Sequence, residues 1–174
     1  MPMKKAPQGM TRFSSIGQEK VDIGLQSTIG PFSTIGFAGF GFEKNKEGTD
    51  FRYPLKRKAH DFKVKIGNNV SIGQGCNVDR GSWRDTIIDN GTVIDSLVHV
   101  AHNTQIGRHC VICAGTIIGG SCDIGNKVFI GLNVTIKDHI KIGNNATIGS
   151  GANIVHDVPN GVTVVSDNKA RILE

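Results

Sequence analysis

Nowhere in the 174 residues is there an apolar run long enough to cross a bilayer, which excludes a membrane-spanning helix. The opening stretch MPMKKAPQGMTRF carries lysines but no apolar segment behind them, so it does not read as a secretory signal. A single tryptophan stands against 23 glycines, a balance that suits a fold built from many tight turns. A soluble, cytoplasmic protein is the expectation. With 38% hydrophobic residues the chain can bury one core, hence a single domain. The net charge of +5 favours an anionic partner, but a phosphate-bearing metabolite, an acidic carrier protein and a nucleic acid would all answer to it.

What is present is a period. An aliphatic residue recurs every six positions at Ile88, Ile94, Val100, Ile106, Ile112, Ile118, Ile124, Ile130, Ile136, Ile142, Ile148 and Ile154. Upstream, Ile66, Ile72 and Val78 keep the spacing, as do Ile23, Ile29 and Ile35. Six is neither a helical period nor a plain alternation. It fits a short strand followed by a corner, three of which close a triangular coil of eighteen residues, a parallel β-helix. Four residues after each anchor comes a second small or medium side chain, such as Thr92, Val98, Thr104, Cys110, Thr116 and Cys122. Two inward positions separated by one outward residue is what the pleat of a strand requires. Glycine often follows the anchor, and turn-forming residues follow it. Cys76, Cys110 and Cys122 fall on the small inward positions and Cys113 sits beside an anchor, so they read as free thiols filling the core rather than as catalytic or metal-binding groups.

The stretches FAGFGFEKNKEGTDFRYPLKRK, NVDRGSWRDTIIDNG and IDSLVHVAHNTQIG, together with the hexads, resemble the hexapeptide-repeat acyltransferases. Within that family the similarity is to the branch that N-acylates UDP-3-O-acyl-glucosamine in lipid A synthesis, over about Ile23 to Ile154. The resemblance implies an all-β, left-handed parallel β-helix, against the usual right-handed crossover rule. The expected layout is an N-terminal tail at 1–15, the β-helix at 16–157 with one long inserted loop at 36–65, and a C-terminal tail at 158–174. Two departures stand out: the uridine-binding domain and the helical extension of that branch have no counterpart here. The ending IVHDVPNGVTVVSDNKARILE is similar instead to acetyl-CoA-dependent relatives, although their Gly-Asn-Pro-Ala is replaced by SDNKA.

Every third hexad shares a face, so the outward residues form three columns. Val93, Val111, Phe129 and Thr147 make a mostly apolar one, which is expected to be buried against another copy. The resemblance implies a homotrimer with sites between subunits. No outward column is a threonine array, which argues against ice binding.

His102, His139 and His156 all follow anchors that differ by multiples of eighteen, so they share one edge of the prism, with Gly120 between the first two. At about 4.8 Å per coil, His102 and His139 stand roughly 10 Å apart along it. A metal triad spread over several coils is disfavoured, because ligands must lie about 2 Å from one ion. His102 is expected to be a general base, its unperturbed pKa lying near 6.5, and a backbone N–H at Gly120 the oxyanion donor. Both positions match the family's base and oxyanion donor. His139 and Asp95 also match family positions and, with Asn103, are assigned to substrate contacts. His60 and His109 read as polar fillers.

Between Ile35 and Ile66 the period fails. That insertion mixes Phe40, Phe42, Phe51 and Tyr53 with Arg52, Lys56, Arg57 and Lys58. Phe40, Phe42 and Tyr53 are expected to cover substrate, and the four cations to meet donor phosphates. A nucleic-acid surface ranks lower, since the cations sit in one loop without a repeated basic array. The expected function is an acetyl-CoA-dependent N-acyltransferase acting on a nucleotide-linked amino sugar for surface polysaccharide synthesis, without metal, nucleic acid or membrane insertion. The alternatives are an acyl-carrier-protein-dependent lipid A type enzyme and a non-catalytic scaffold.

Overall fold

An aliphatic anchor in every hexad needs a surface to bury against, and the coil supplies it by stacking each strand on the one eighteen residues later. The structure, a computed structural model, describes residues 14–17, 19–43 and 57–166. These form twenty short strands and no helix, so none long and apolar enough to cross a membrane.

The strands lie in three parallel sheets that make the faces of a left-handed parallel β-helix. The first face stacks Ser15–Ile16, Thr34–Ala38, Asn77–Arg80, His99–Val100, Ile117–Ile118, Thr135–Ile136 and Asn153–Ile154. The second runs from Val21–Ile23 through Val64–Ile66, Thr86–Ile88, Gln105–Ile106 and Asp123–Ile124 to Lys141–Ile142. The third runs from Thr28–Ile29 through Ser71–Ile72, Val93–Ile94, Val111–Ile112, Phe129–Ile130 and Thr147–Ile148 to Thr163–Val164, so coil pairing continues past residue 157.

All twelve anchors from Ile88 to Ile154 are buried, as are the second-register residues from Thr92 to Ala152. The second register does more than fill space. Thr92, Thr104 and Thr116 donate their hydroxyls to the corner carbonyls of Gly107, Gly119 and Gly131, at 2.7, 3.0 and 3.0 Å, each fifteen residues on. Cys110 and Cys122 make the same bond from sulfur to the carbonyls of Gly125 and Lys137, at 3.1 and 3.2 Å. A buried carbonyl without a donor is costly, so the hydroxyl or thiol serves its corner at these five positions, whereas Val98, Val128, Val134, Ile140, Ala146 and Ala152 only fill space there. Burial pushes the Cys122 thiol up to about 11, which keeps it protonated and able to donate.

Each regular corner holds the third residue after its anchor in the left-handed region. Gly91, Gly115 and Gly151 occupy it at φ between 68° and 73°, and Asn103, Ser121, Lys127 and His139 at φ between 55° and 64°. Two interruptions break the register. The strand Thr34–Ala38 pairs with Asn77–Arg80 across the long insertion, with a bulge between Ile35 and Phe37. A second, shorter insertion follows Asp79–Arg80: Asn77 pairs with His99 at a separation of twenty-two residues rather than eighteen. The extra four residues are the loop Gly81–Arg84.

The corner bond yields a stability prediction. Thr116→Val is expected to lower unfolding free energy by about 1–3 kcal/mol in chemical denaturation, with Thr116→Cys recovering part of the loss. Equal stability of the Val and Cys variants would mean that the thiol only fills volume.

Candidate active site

At the edge between the first and second faces, His102, Gly120 and His139 line one pocket of 310 Å³, together with Phe40 from the long insertion and Asp79 and His99 from the first face. His102 is placed by its corner and held by what surrounds it. Its ring packs edge-on against His60, centroids 5.2 Å apart. On another side stands Gly120: a Cβ there would come within 2.9 Å of the ring at Cε1, so glycine is what lets the imidazole seat. Gly39 plays the same part from the insertion, where a Cβ would stand 3.1 Å from His102 Cδ2. The N–H of Gly120 has no hydrogen-bond partner among the described residues, while its carbonyl accepts from the N–H of His139.

Asn103 lies beneath His102 and is fully buried. Its Oδ1 accepts from the backbone N–H groups of Ser82 at 2.7 Å and Trp83 at 3.2 Å, in the four-residue loop. That fixes the amide, so Nδ2 is the atom facing His102, and it donates to Nδ1 at 2.7 Å. The neutral ring therefore carries its own proton on Nε2. Asn103, expected to touch substrate, instead joins the Gly81–Arg84 loop to the imidazole.

Burial, first, and the neighbouring His60, second, hold the His102 pKa below its usual value of 6.5, against the pull of the Asp79 carboxylate. The ring is thus neutral at cellular pH. His60 is itself buried; its Nδ1 donates to the Lys58 carbonyl at 2.9 Å, and its Nε2 finds no partner among the described residues. Nothing in the repeat pattern marked His60, because it lies in the insertion.

Other expected residues are spread out. Phe40 is 84% exposed at the pocket mouth and stacks edge-on with Phe42 at 4.9 Å, which in turn carries the Arg57 guanidinium 5.6 Å above its ring. Phe42 and Arg57 bridge as an antiparallel pair and the Lys58 N–H donates to the Gly41 carbonyl, so the base of the insertion is a short stem. Arg57 also borders an adjoining hollow of 300 Å³ that shares Phe40, Asp79 and His99 with the first. Asp95 sits at the corner after the third face, its carboxylate accepting from the Ser96 N–H at 2.7 Å, and does not line either hollow. His156 is exposed on the same edge as His102 but outside the pocket. Tyr53, Arg52 and Lys56 lie outside the described residues. Asp79 and His99 were missed: Asp79 directly follows the anchor Val78, and His99, the outward residue before Val100, lies outside the apolar column. The anchors Val78 and Ile88, ten residues apart, were the available signal for the short loop that braces Asn103. Among the described residues no three His, Cys, Asp or Glu side chains converge as metal ligands.

Residues 85–120 match the bacterial transferase hexapeptide (six repeats) family. The chain is 38% identical over 95 residues to the UDP-3-O-acylglucosamine N-acyltransferase of Methylococcus capsulatus, covering 55% of this chain and 25% of that protein. It is 44% identical over 79 residues to the probable UDP-3-O-acylglucosamine N-acyltransferase 2, mitochondrial, of Arabidopsis thaliana, covering 45% and 24%. The matches thus span about a quarter of the length of these relatives. A solved UDP-N-acetylglucosamine acyltransferase superposes with a TM-score of 0.75 at 23% identity, over 91% of this chain and 57% of that one, which shows the shared fold.

The electrostatics predict a titration. His102, followed by proton NMR, is expected to titrate below 6.5. Asn103→Asp should raise that midpoint, because a carboxylate can accept from the same loop N–H groups and from Nδ1–H, stabilising the imidazolium. A wild-type midpoint above 6.5, or a downward move in the variant, would contradict the assigned network.

Proposed function

We propose that the protein is an acyl-CoA-dependent N-acyltransferase whose donor is acetyl-CoA and whose acceptor is the amino group of a nucleotide-linked amino sugar. The observation that carries this reading is a half-buried, neutral imidazole beside an unpartnered glycine N–H in one pocket. Similarity to the UDP-3-O-acylglucosamine N-acyltransferases supports the acceptor class.

In this reading the amine nitrogen attacks the thioester carbonyl carbon, a C–N bond forms, and the carbonyl oxygen takes the negative charge beside the Gly120 N–H. His102 Nε2 takes the proton from nitrogen. The C–S bond then breaks, and the imidazolium returns that proton to the departing sulfur. Because Asn103 holds the resting proton on Nε2, the base step requires exchange to the Nδ1–H form. The exchange gives up the Asn103 bond at about 1–3 kcal/mol, a small part of the ~8–23 kcal/mol by which enzymes lower barriers. His139 faces the same pocket and is assigned to donor or substrate contacts, with Phe40 at its mouth and Phe42 stacked against Phe40.

The cations Arg57 and Lys58 suit donor phosphates, and Arg52 and Lys56 continue the same basic run in sequence. A carrier-protein donor is the second reading, favoured by the similarity to the lipid A type enzymes. A homotrimer is part of the proposal. Val93, Val111 and Phe129 pair in register up the third face and are each 40–45% exposed, a continuous apolar column that another copy would cover. Buried free thiols at Cys76, Cys110 and Cys122 support a cytoplasmic setting.

Two measurements test this. Thiol release from acetyl-CoA with a panel of nucleotide amino sugars should be seen for the wild type and fall by about 10²–10⁴ in kcat for His102→Ala, with binding changed less. Near wild-type turnover in that variant would remove His102 as the base. Phe129→Asp should shift the native mass measured by light scattering from trimer toward monomer, and a wild-type monomer would refute the assembly.

A further inference from the structure

The carboxylate of Asp79 lies in the wall between the two hollows and lines both, yet the residue is only 6% exposed. Its Oδ1 accepts from Asn77 Nδ2 at 2.7 Å. The same Nδ2 donates to His99 Nδ1 at 2.9 Å, and Asn77 Oδ1 accepts from the Thr34 hydroxyl, so the amide is fully committed and the carboxylate cannot rotate freely. With Nδ1 accepting, neutral His99 carries its proton on Nε2, which stands 3.8 Å from Asp79 Oδ2, too far for a hydrogen bond. No lysine or arginine of the described residues pairs with Asp79. Arg80, next in sequence, is turned away to the His60 and Gly36 carbonyls.

A buried carboxylate with one oxygen held and the other facing the hollows is best matched by a cationic donor. The pocket already holds the imidazole that the proposed chemistry uses. Gly39 closes over both groups: a Cβ there would stand 2.7 Å from Asp79 Oδ2 and 3.1 Å from His102 Cδ2, so carboxylate and imidazole lie against the same short piece of backbone.

We infer that Asp79 is the residue that receives the positive charge of the acceptor's amino group, and that it makes the pocket selective for amines over hydroxyls. This rests on the acyl-transfer reading for its purpose, though the binding it describes does not need turnover. At neutral pH the amine arrives as an ammonium ion with three N–H donors. Oδ2 accepts one of them in a charge-assisted bond, which a hydroxyl, uncharged and with one O–H, matches only as a neutral bond. Asp79 also holds the amine nitrogen near His102: the ammonium first releases one proton to solvent, which frees the nitrogen lone pair for attack, and His102 takes a second as the bond to carbon forms and passes it to the departing sulfur.

The test uses UDP-glucosamine and UDP-glucose, which differ in an amine against a hydroxyl on the same carbon. Calorimetry on the full-length protein should show the amine bound about ten-fold or more tighter than the hydroxyl. Asp79→Asn should abolish most of that preference while leaving the hydroxyl compound within about three-fold, and Asp79→Glu should retain part of it. In the acyl-transfer assay the loss in Asp79→Asn should appear mainly in KM for the amine. If Asp79→Asn weakens both sugars equally, or the wild type shows no preference, Asp79 is a structural carboxylate and the inference is overturned. An amine preference lost in Asp79→Asn, in a protein that transfers no acyl group, would uphold the inference while rejecting the catalytic reading. Should Asp79→Asn fail to fold, Asp79→Glu and Gly39→Ala, whose added methyl pushes the carboxylate aside, carry the same comparison.

Discussion

Everything in this molecule hangs on the backbone ladder between successive coils, in which an N–H of one coil meets a carbonyl of the next, as from Val111 to Val128 and from Asp123 to Ile140, both at 2.9 Å. Parallel pairing of so many two-residue strands is weak strand by strand, and it persists because the same register is repeated on three faces. The ladder stacks corners as strictly as strands. A side chain that leaves one corner therefore stands directly over its equivalent one coil away, and chemistry can be assembled vertically from residues that are eighteen or more positions apart. His102 and Gly120 are such a stack, and His139 joins them in the same pocket from the neighbouring position of the corner one coil further on.

The ladder also determines what the corners can be made of. The regular ones hold a left-handed residue, and from Thr92 to Cys122 all but one of the second-register positions also give the inward carbonyl a donor, threonine or cysteine interchangeably. That is why cysteines with raised pKa values sit in a core whose chemistry does not use them: the thiol is a hydrogen-bond donor of the right size.

Where the period holds, the sequence is enough to read the structure. The hexad anchors Ile88 to Ile154 are buried without exception, and the edge shared by His102 and His139 follows from counting in sixes. Where the period fails, legibility fails with it. Asp79 lines the pocket from the strand just before the short insertion and His60 packs on His102 from within the long one, where no repeat says which way a side chain points. Asn103 shows the subtler failure. Its position was readable, but not that four inserted residues, Gly81–Arg84, would turn their N–H groups onto its Oδ1 and so commit its Nδ2 to the imidazole. The regular coil builds a place for the histidine; the irregular pieces decide its proton and its neighbours.

That division puts the weight of the account on a single hydrogen bond, from Asn103 Nδ2 to His102 Nδ1. The measurement that reaches it most directly is the ¹⁵N chemical shifts of the His102 ring in histidine-labelled wild-type protein at neutral pH. The account predicts a neutral ring with the proton on Nε2 and an unprotonated, hydrogen-bonded Nδ1. A ring protonated on Nδ1, or an imidazolium with both nitrogens protonated, would contradict it.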